Sequence, residues 1–160
     1  MKVIKDLMTP SPHACVKNDS MLSVAGKMLK HNVGAIPVVD EDKKVVGIIT
    51  DRDIVRAIFR KNTECENNSC SIKDITAQEA MTSEVYTVNL NEDAAYALNL
   101  MREKKIGRLP IVDNDNNLMG MISFNSISRN IFLDDIEKEG RENIIDTMQS
   151  MNDRNERIDK

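Results

Sequence analysis

Seven consecutive residues, Gly47-Ile48-Ile49-Thr50-Asp51-Arg52-Asp53, hold the densest set of groups able to do chemistry. Thr50 puts a hydroxyl where an apolar run gives way to a polar, helix-compatible one. The free N–H groups of a helix's first turn favour an anion such as phosphate. Asp53, three residues on, brings a carboxylate whose two oxygens can accept the vicinal hydroxyls of a ribose. Gly47 lets a backbone or a ligand approach closely. A plainer reading uses the same residues: Thr50 and Asp51 cap a helix whose first turn tolerates Asp53. The heptapeptide alone leaves both open.

The elements that would position these groups are defined by an internal repeat. Gly34-Ala35-Ile36-Pro37-Val38-Val39-Asp40 returns 73 residues later as Gly107-Arg108-Leu109-Pro110-Ile111-Val112-Asp113. The register holds without gaps in both directions: Met8-Thr9 with Met81-Thr82, Asn18 with Asn91, Met28 with Met101, Gly47 with Gly120, Ile58-Phe59 with Ile131-Phe132. Each copy has an extended entry such as His13 to Val16, then a helical stripe (Met21, Val24, Ala25, Met28, Leu29) opened by an N-cap at Asn18-Asp19. Two apolar runs follow, Ala35 to Val39 and Val45 to Thr50, joined by the polar turn Asp40 to Lys44, the pattern of a hairpin. Pro37 and Pro110 suit a strand start or a sheet edge. A second helix over Asp51 to Arg60 is expected to bury Ile54, Val55, Ile58 and Phe59.

This order predicts an α+β fold of two β-α-β-β-α repeats, 1–60 and 72–133, with a polar linker at 61–71 and an acidic, helical tail at 134–160. A unit so small cannot cover its own sheet, so two copies should pack as a pseudo-two-fold pair.

The paired Gly-x-x-Pro-x-x-Asp and Gly-x-x-Thr-x-x-Asp segments resemble tandem cystathionine-β-synthase (CBS) domains, the Bateman module, from about Val3 to Phe132. The resemblance implies a regulatory module and not an enzyme. It implies an adenosyl ligand (AMP, ADP, ATP or S-adenosylmethionine) in the cleft between repeats, bound as a regulator and not as a required cofactor. It places Thr50 on phosphate, Asp53 on ribose beside Asp51, and Ala35, Ile36 and Pro37 against the adenine. It also implies pairing into flat discs, hence a homodimer, and a regulated protein met in trans. A scaffold with vestigial clefts is the alternative.

The second copy departs from the pattern. Gly120-Met121-Ile122-Ser123-Phe124-Asn125-Ser126 keeps a phosphate-capable hydroxyl at Ser123 but puts Ser126 in place of the aspartate. A hydroxyl cannot match two carboxylate acceptors, so one competent site is expected, on the first copy. Arg108 stands where Ala35 stands in that copy. It reads either as a phosphate ligand, as in some family members, or as an exposed strand-edge charge.

Other chemistries lack their signatures. There is no Gly-rich phosphate loop, no Ser–His–Asp order and no His or Cys cluster at metal spacing. His13 and His31 each read as a surface residue, and Cys15, matched by Val88, as packing. The net charge is −4, all of it in 134–160, where five Lys or Arg meet nine Asp or Glu. A neutral module with an acidic tail argues against nucleic acid as partner. No apolar stretch could span a bilayer, and the N-terminus lacks a signal-peptide run, which points to a cytoplasmic setting. In the tail, Ile144, Ile145, Met148 and Met151 form one stripe, set off by Gly140. It serves either to pack on the chain's own module or to meet another chain.

Overall fold

The computed structural model describes residues 3–64, 71–133 and 138–152. Cys65, Cys70 and the two ends of the tail lie outside them. The first repeat runs α1 (Ile4–Leu7), β1 (Thr9–Pro10), β2 (Cys15–Val16), α2 (Met21–His31), β3 (Ala35–Val39), β4 (Val45–Thr50) and α3 (Asp51–Glu64). After a 3₁₀ turn at Ile72–Asp74, the second runs α4 (Ala77–Ala80), β5 (Val88–Asn89), α5 (Ala94–Lys104), β6 (Arg108–Val112), β7 (Leu118–Ser123) and α6 (Phe124–Leu133), and α7 (Lys138–Asn152) follows. The mixed α/β class and the tandem repeat are as expected.

The chain divides into two compact units that do not follow its order. One comprises Pro12–Val85 with Asp115–Leu118, the other Met1–Ser11, Tyr86–Asn114 and Met119–Lys160. Each repeat's entry segment thus packs with the other repeat. Ile4 and Lys5 donate their N–H groups to the carbonyls of Glu92 (2.9 Å) and Leu90 (3.2 Å). At the same repeat positions, Ala77 and Gln78 donate to Asp19 (2.8 Å) and Lys17 (3.0 Å). Ile4 and Leu7 join the core formed by Leu98, Met101, Leu109, Ile111 and Ile122. Ile75 and Ala77 join that of Met21, Val24, Ile36, Val38 and Ile49.

Within each unit the arrangement is the same. In one sheet, β2 pairs parallel and β4 antiparallel with β3. The other sheet runs β1-β7-β6-β5, with β1 antiparallel to β7 at Thr9↔Met121. The counterpart of that last pairing is a single bridge, Ile48↔Thr82. Methionine sulfurs seat both entry segments on a glycine. A Cβ on Gly47 would lie 2.6 Å from Met81 Sδ and 3.2 Å from the Thr82 carbonyl, and one on Gly120 would lie 2.5 Å from Met8 Sδ and 3.0 Å from the Thr9 carbonyl. Gly26, in α2, has nothing within 4 Å of that position. Gly26→Ala should therefore stabilise the protein by about 0.5–1 kcal/mol. Gly47→Ala should destabilise it by about 1–3 kcal/mol through overpacking. Denaturant titrations of both variants check this; shifts of the same sign would contradict it.

Several local expectations are corrected. The N-cap of α2 is Ser20, whose hydroxyl accepts from Ser23 N at 3.2 Å, and that of α5 is Asp93, which accepts from Tyr96 N at 2.8 Å. Asp19 instead accepts from Val16 N and pairs with Lys27 at 3.0 Å. Pro37 lies within β3, the central strand and not an edge, but β2 comes alongside only at Val38 and Val39. Helix α3 continues to Glu64, and it buries Asp53 and Ala57 while Val55 and Phe59 are exposed. Gly140 lies inside α7, which packs on α5. The expected stripe of α7 is split: Ile144 and Thr147 are buried, while Ile145 and Met148 face solvent. Ser150 Oγ donates to the Arg102 carbonyl at 2.9 Å.

Candidate functional site

The first repeat brings its predicted site residues together at the β4–α3 junction. Ala35 is the register partner of Thr50, Ile36 of Ile49 and Pro37 of Ile48. Ala35, Ile36 and Pro37 are buried, and Thr50 is half-buried. The N–H of Asp51 donates to the Gly34 carbonyl at 3.3 Å, which ties the start of α3 to the approach to β3. The Asp51 carboxylate itself is exposed and accepts from Arg52 N at 2.8 Å.

Thr50 and Asp53 form a reciprocal cap. Asp53 Oδ2 accepts from Thr50 N at 2.8 Å and from Thr50 Oγ1 at 2.6 Å, while Thr50 Oγ1 accepts from Asp53 N at 3.3 Å. This is the capping-box geometry with aspartate in the third helical position. Asp53 is 8% exposed, and its Oδ1 faces Arg56 Nη1 at 3.5 Å. The helix is capped as the plainer reading expects, but by Thr50 with Asp53 and not with Asp51, and the carboxylate retains the lone pairs of Oδ1 beside Arg56.

The second repeat repeats the device with a hydroxyl. Ser126 Oγ accepts from Ser123 N at 3.1 Å, Ser123 Oγ accepts from Ser126 N at 3.1 Å, and Ser126 Oγ donates to the Ser123 carbonyl at 2.8 Å. The position of Asp51 is taken by Phe124, which is buried in the core while its N–H bonds the Gly107 carbonyl at 2.9 Å. Arg108 is exposed at the start of β6. Ser123 and Arg108 belong to one unit, and Thr50, Asp53 and Ala35 to the other.

Two features were illegible in the sequence. The rings of His13 and His31 stack with centroids 3.4 Å apart. Desolvation, then the charges of His13 and Lys30, hold the His31 pKa below its ordinary value. The buried Cys15 thiol points at the Pro37 carbonyl (3.8 Å), and desolvation, aided by Asp19, raises its pKa to about 11. A thiol so rarely ionised at neutral pH is a packing group. Among the described residues no cluster of three His, Cys, Asp or Glu could hold a metal ion, and no helix is long and apolar enough to cross a membrane.

Two α/β repeats in one register, each carrying a capped strand–helix junction, define a tandem-repeat module. The model of the CBS domain matches residues 4–60 and 72–132, so the chain belongs to the CBS-domain family. It is 39% identical over 130 residues to the uncharacterised protein YlbB of Bacillus subtilis, covering 80% of this chain and 81% of that one. It is 30% identical over 127 residues to L-aspartate semialdehyde sulfurtransferase of Methanocaldococcus jannaschii, covering 79% of this chain but only 23% of the enzyme. Among solved structures, the CBS domain pair of protein MJ0100 in complex with 5′-methylthioadenosine and S-adenosyl-L-methionine matches with a TM-score of 0.70 and 30% identity, over 82% of this chain and 97% of that one. CBSX2 in complex with AMP matches in fold, with a TM-score of 0.70 and 23% identity over 83% and 98%.

Proposed function

We propose that this chain is a regulatory module, and not an enzyme, that binds an adenosyl ligand at the β4–α3 junction of its first repeat. The ligand is AMP, ADP, ATP or S-adenosylmethionine, acting in a cytoplasmic setting as a regulator of a protein met in trans. The observation that carries this reading is Asp53: a buried carboxylate at a helix N-terminus, beside the Thr50 hydroxyl and across from Ala35, in a chain 30% identical to a pair solved with two adenosyl compounds. Thr50 and the first-turn N–H groups would take an anion, Asp53 the ribose, and Ala35, Ile36 and Pro37 the flat apolar base. Asp51, exposed at the same helix start, would add a second carboxylate beside the ribose. In the second repeat Ser123 and Arg108 supply a hydroxyl and a cation, while Ser126 offers no carboxylate. That repeat is the weaker site. The module works as a homodimer, and its effect on the partner equals the ligand's differential affinity for the module's two arrangements.

Calorimetric titration with AMP, ADP, ATP and S-adenosylmethionine tests the reading. One of them should bind below millimolar with a single strong site. Absence of binding by all four would favour a ligand-free scaffold, in which Thr50 and Asp53 serve only as the cap that their bonds describe.

A further inference from the structure

The same two repeat positions make a ring contact in each half of the chain, with different chemistry. His13 stacks on His31, the rings 19° from parallel and their centroids 3.4 Å apart. At the same positions 73 residues on stand Tyr86 and Lys104, and the Lys104 ammonium lies 4.7 Å from the centre of the Tyr86 ring. Both contacts sit where the chain crosses over: one compact unit takes it up at Pro12, the other at Tyr86. Each joins the incoming segment to the last turn of the helix that follows it, α2 or α5. Just past His13 the segment becomes β2, where Cys15 and Val16 run beside Val38 and Val39. The second repeat's contact is a cation on an aromatic face, and lysine is a cation throughout the physiological range. The first repeat's contact has no such permanence, because an imidazole changes its charge between about pH 5 and 8.

We propose that the His13–His31 stack is an acid-released clasp on the entry segment of the first repeat. Neutral, it fastens that segment to the end of α2; with both rings protonated, it lets the segment go. The second repeat keeps its clasp shut, so pH acts on one repeat alone, independently of any ligand. The surrounding charges fix the direction. Lys30 adjoins His31, and Lys27, one turn back on the same side of α2, holds the Ala14 carbonyl at 3.3 Å and Asp19 at 3.0 Å. Asp19, the acid of this segment, is thus already engaged by Lys27 and by Val16 N. β2 and β3 bring no charged residue. From α3, Asp51 arrives at the Gly34 carbonyl, with its carboxylate accepting from Arg52 N. The turn at Ile72–Asp74 meets the opposite end of α2, where Met21 N bonds the Ile75 carbonyl. One proton on the stack is eased by the C-terminus of α2. A second sets like charges 3.4 Å apart beside Lys30. Desolvation, then His13 and Lys30, hold the His31 pKa below its ordinary 6.5. The clasp's contribution is therefore complete above that ordinary value and lost as pH falls through the lowered one.

Amide hydrogen exchange on the full chain, corrected for the intrinsic pH dependence of exchange, reads the clasp. Protection of Cys15, Val16, Val38 and Val39 should fall about tenfold from about pH 7.5 to about pH 5. Their counterparts Val88, Asn89, Ile111 and Val112, paired in the same way, should keep theirs. Circular dichroism should match at the two pH values, since the release is local. The chain has two histidines, so the imidazole signals report each ring. In His13→Asn the remaining His31 signal should titrate at a higher pH than in wild type. His13→Tyr/His31→Lys writes the second repeat's pair into the first and should abolish the acid loss. Tyr86→His/Lys104→His does the reverse and should bring that loss to Val88, Asn89, Ile111 and Val112. Equal protection of wild-type β2 at both pH values would overturn the clasp, as would acid unfolding of the whole chain. So would persistence of the acid loss in the first double variant, or its failure to appear in the second.

Discussion

Replacing Ile4 with alanine is expected to lower the unfolding free energy by about 2–5 kcal/mol, the range for a fully buried aliphatic side chain. The loss should appear in the second repeat, although Ile4 belongs to the first by sequence. Ile4 is 0% exposed and packs in the core of Leu98, Met101, Leu109 and Ile111. Its N–H holds the Glu92 carbonyl, and the strand that follows it, β1, pairs with β7. Removing three carbons here opens a cavity under α5 and loosens the seat of Met8 on Gly120. Hydrogen exchange reads the location. Amides of β6, β7 and α6 should exchange faster in Ile4→Ala, while those of β3 and β4 in the other unit should change less. Faster exchange confined to residues 35–50 would mean that each repeat keeps its own entry segment, and the exchanged arrangement would be wrong.

That exchange explains where reading the residues stopped. The 73-residue register was visible because equivalent backbone positions ask for equivalent residues. Gly47 and Gly120 both floor a methionine. The rule is not general: Asn32 and Lys105, with φ of 51° and 55°, both end a helix in the left-handed region, and Lys43 and Asn116, at 62° and 63°, both turn a hairpin, although neither pair shares a residue type. Self-similarity identifies equivalent residues but not the copy each one packs against. Ile4 and Ala77 are equally buried under either connection, so no pattern of apolar residues separates the two. The cap of α2 was missed for a related reason. Asn18, Asp19 and Ser20 can all cap, and the choice fell to Ser20 once Met21 N found the Ile75 carbonyl of the exchanged segment (2.8 Å). On α3 the four apolar residues Ile54, Val55, Ile58 and Phe59 span two adjacent sides of the helix. The core uses the side of Asp53 and Ala57, leaving Val55 and Phe59 outside. The chemistry of the junction was legible as a choice between cap and ligand site, and the bonds of Thr50 and Asp53 realise the cap without consuming Oδ1.

The second repeat supplies the substitution that separates those two roles. Asp53→Ser places in the first repeat the residue that already caps α6 at Ser126, where a hydroxyl exchanges bonds with Ser123 at 3.1 Å. The cap should survive, so stability should stay within about 0.5 kcal/mol of wild type, the difference between good capping residues. Asp53→Ala removes the cap as well and should cost about 1 kcal/mol or somewhat more, because Thr50 N and Oγ1 lose their shared acceptor. Adenosyl affinity should fall at least tenfold in both, about 1.4 kcal/mol, since a serine hydroxyl that accepts from the capped N–H, as Ser126 does, keeps one lone pair for two ribose hydroxyls and alanine has none. Stability and binding are thus predicted to part company in the serine variant and to fall together in the alanine one. Chemical denaturation and calorimetric titration of the same preparations measure the two quantities. If Asp53→Ser binds its nucleotide as tightly as wild type, Asp53 is a helix cap and nothing more, and the ligand, where it binds, rests on Thr50 and the backbone of α3.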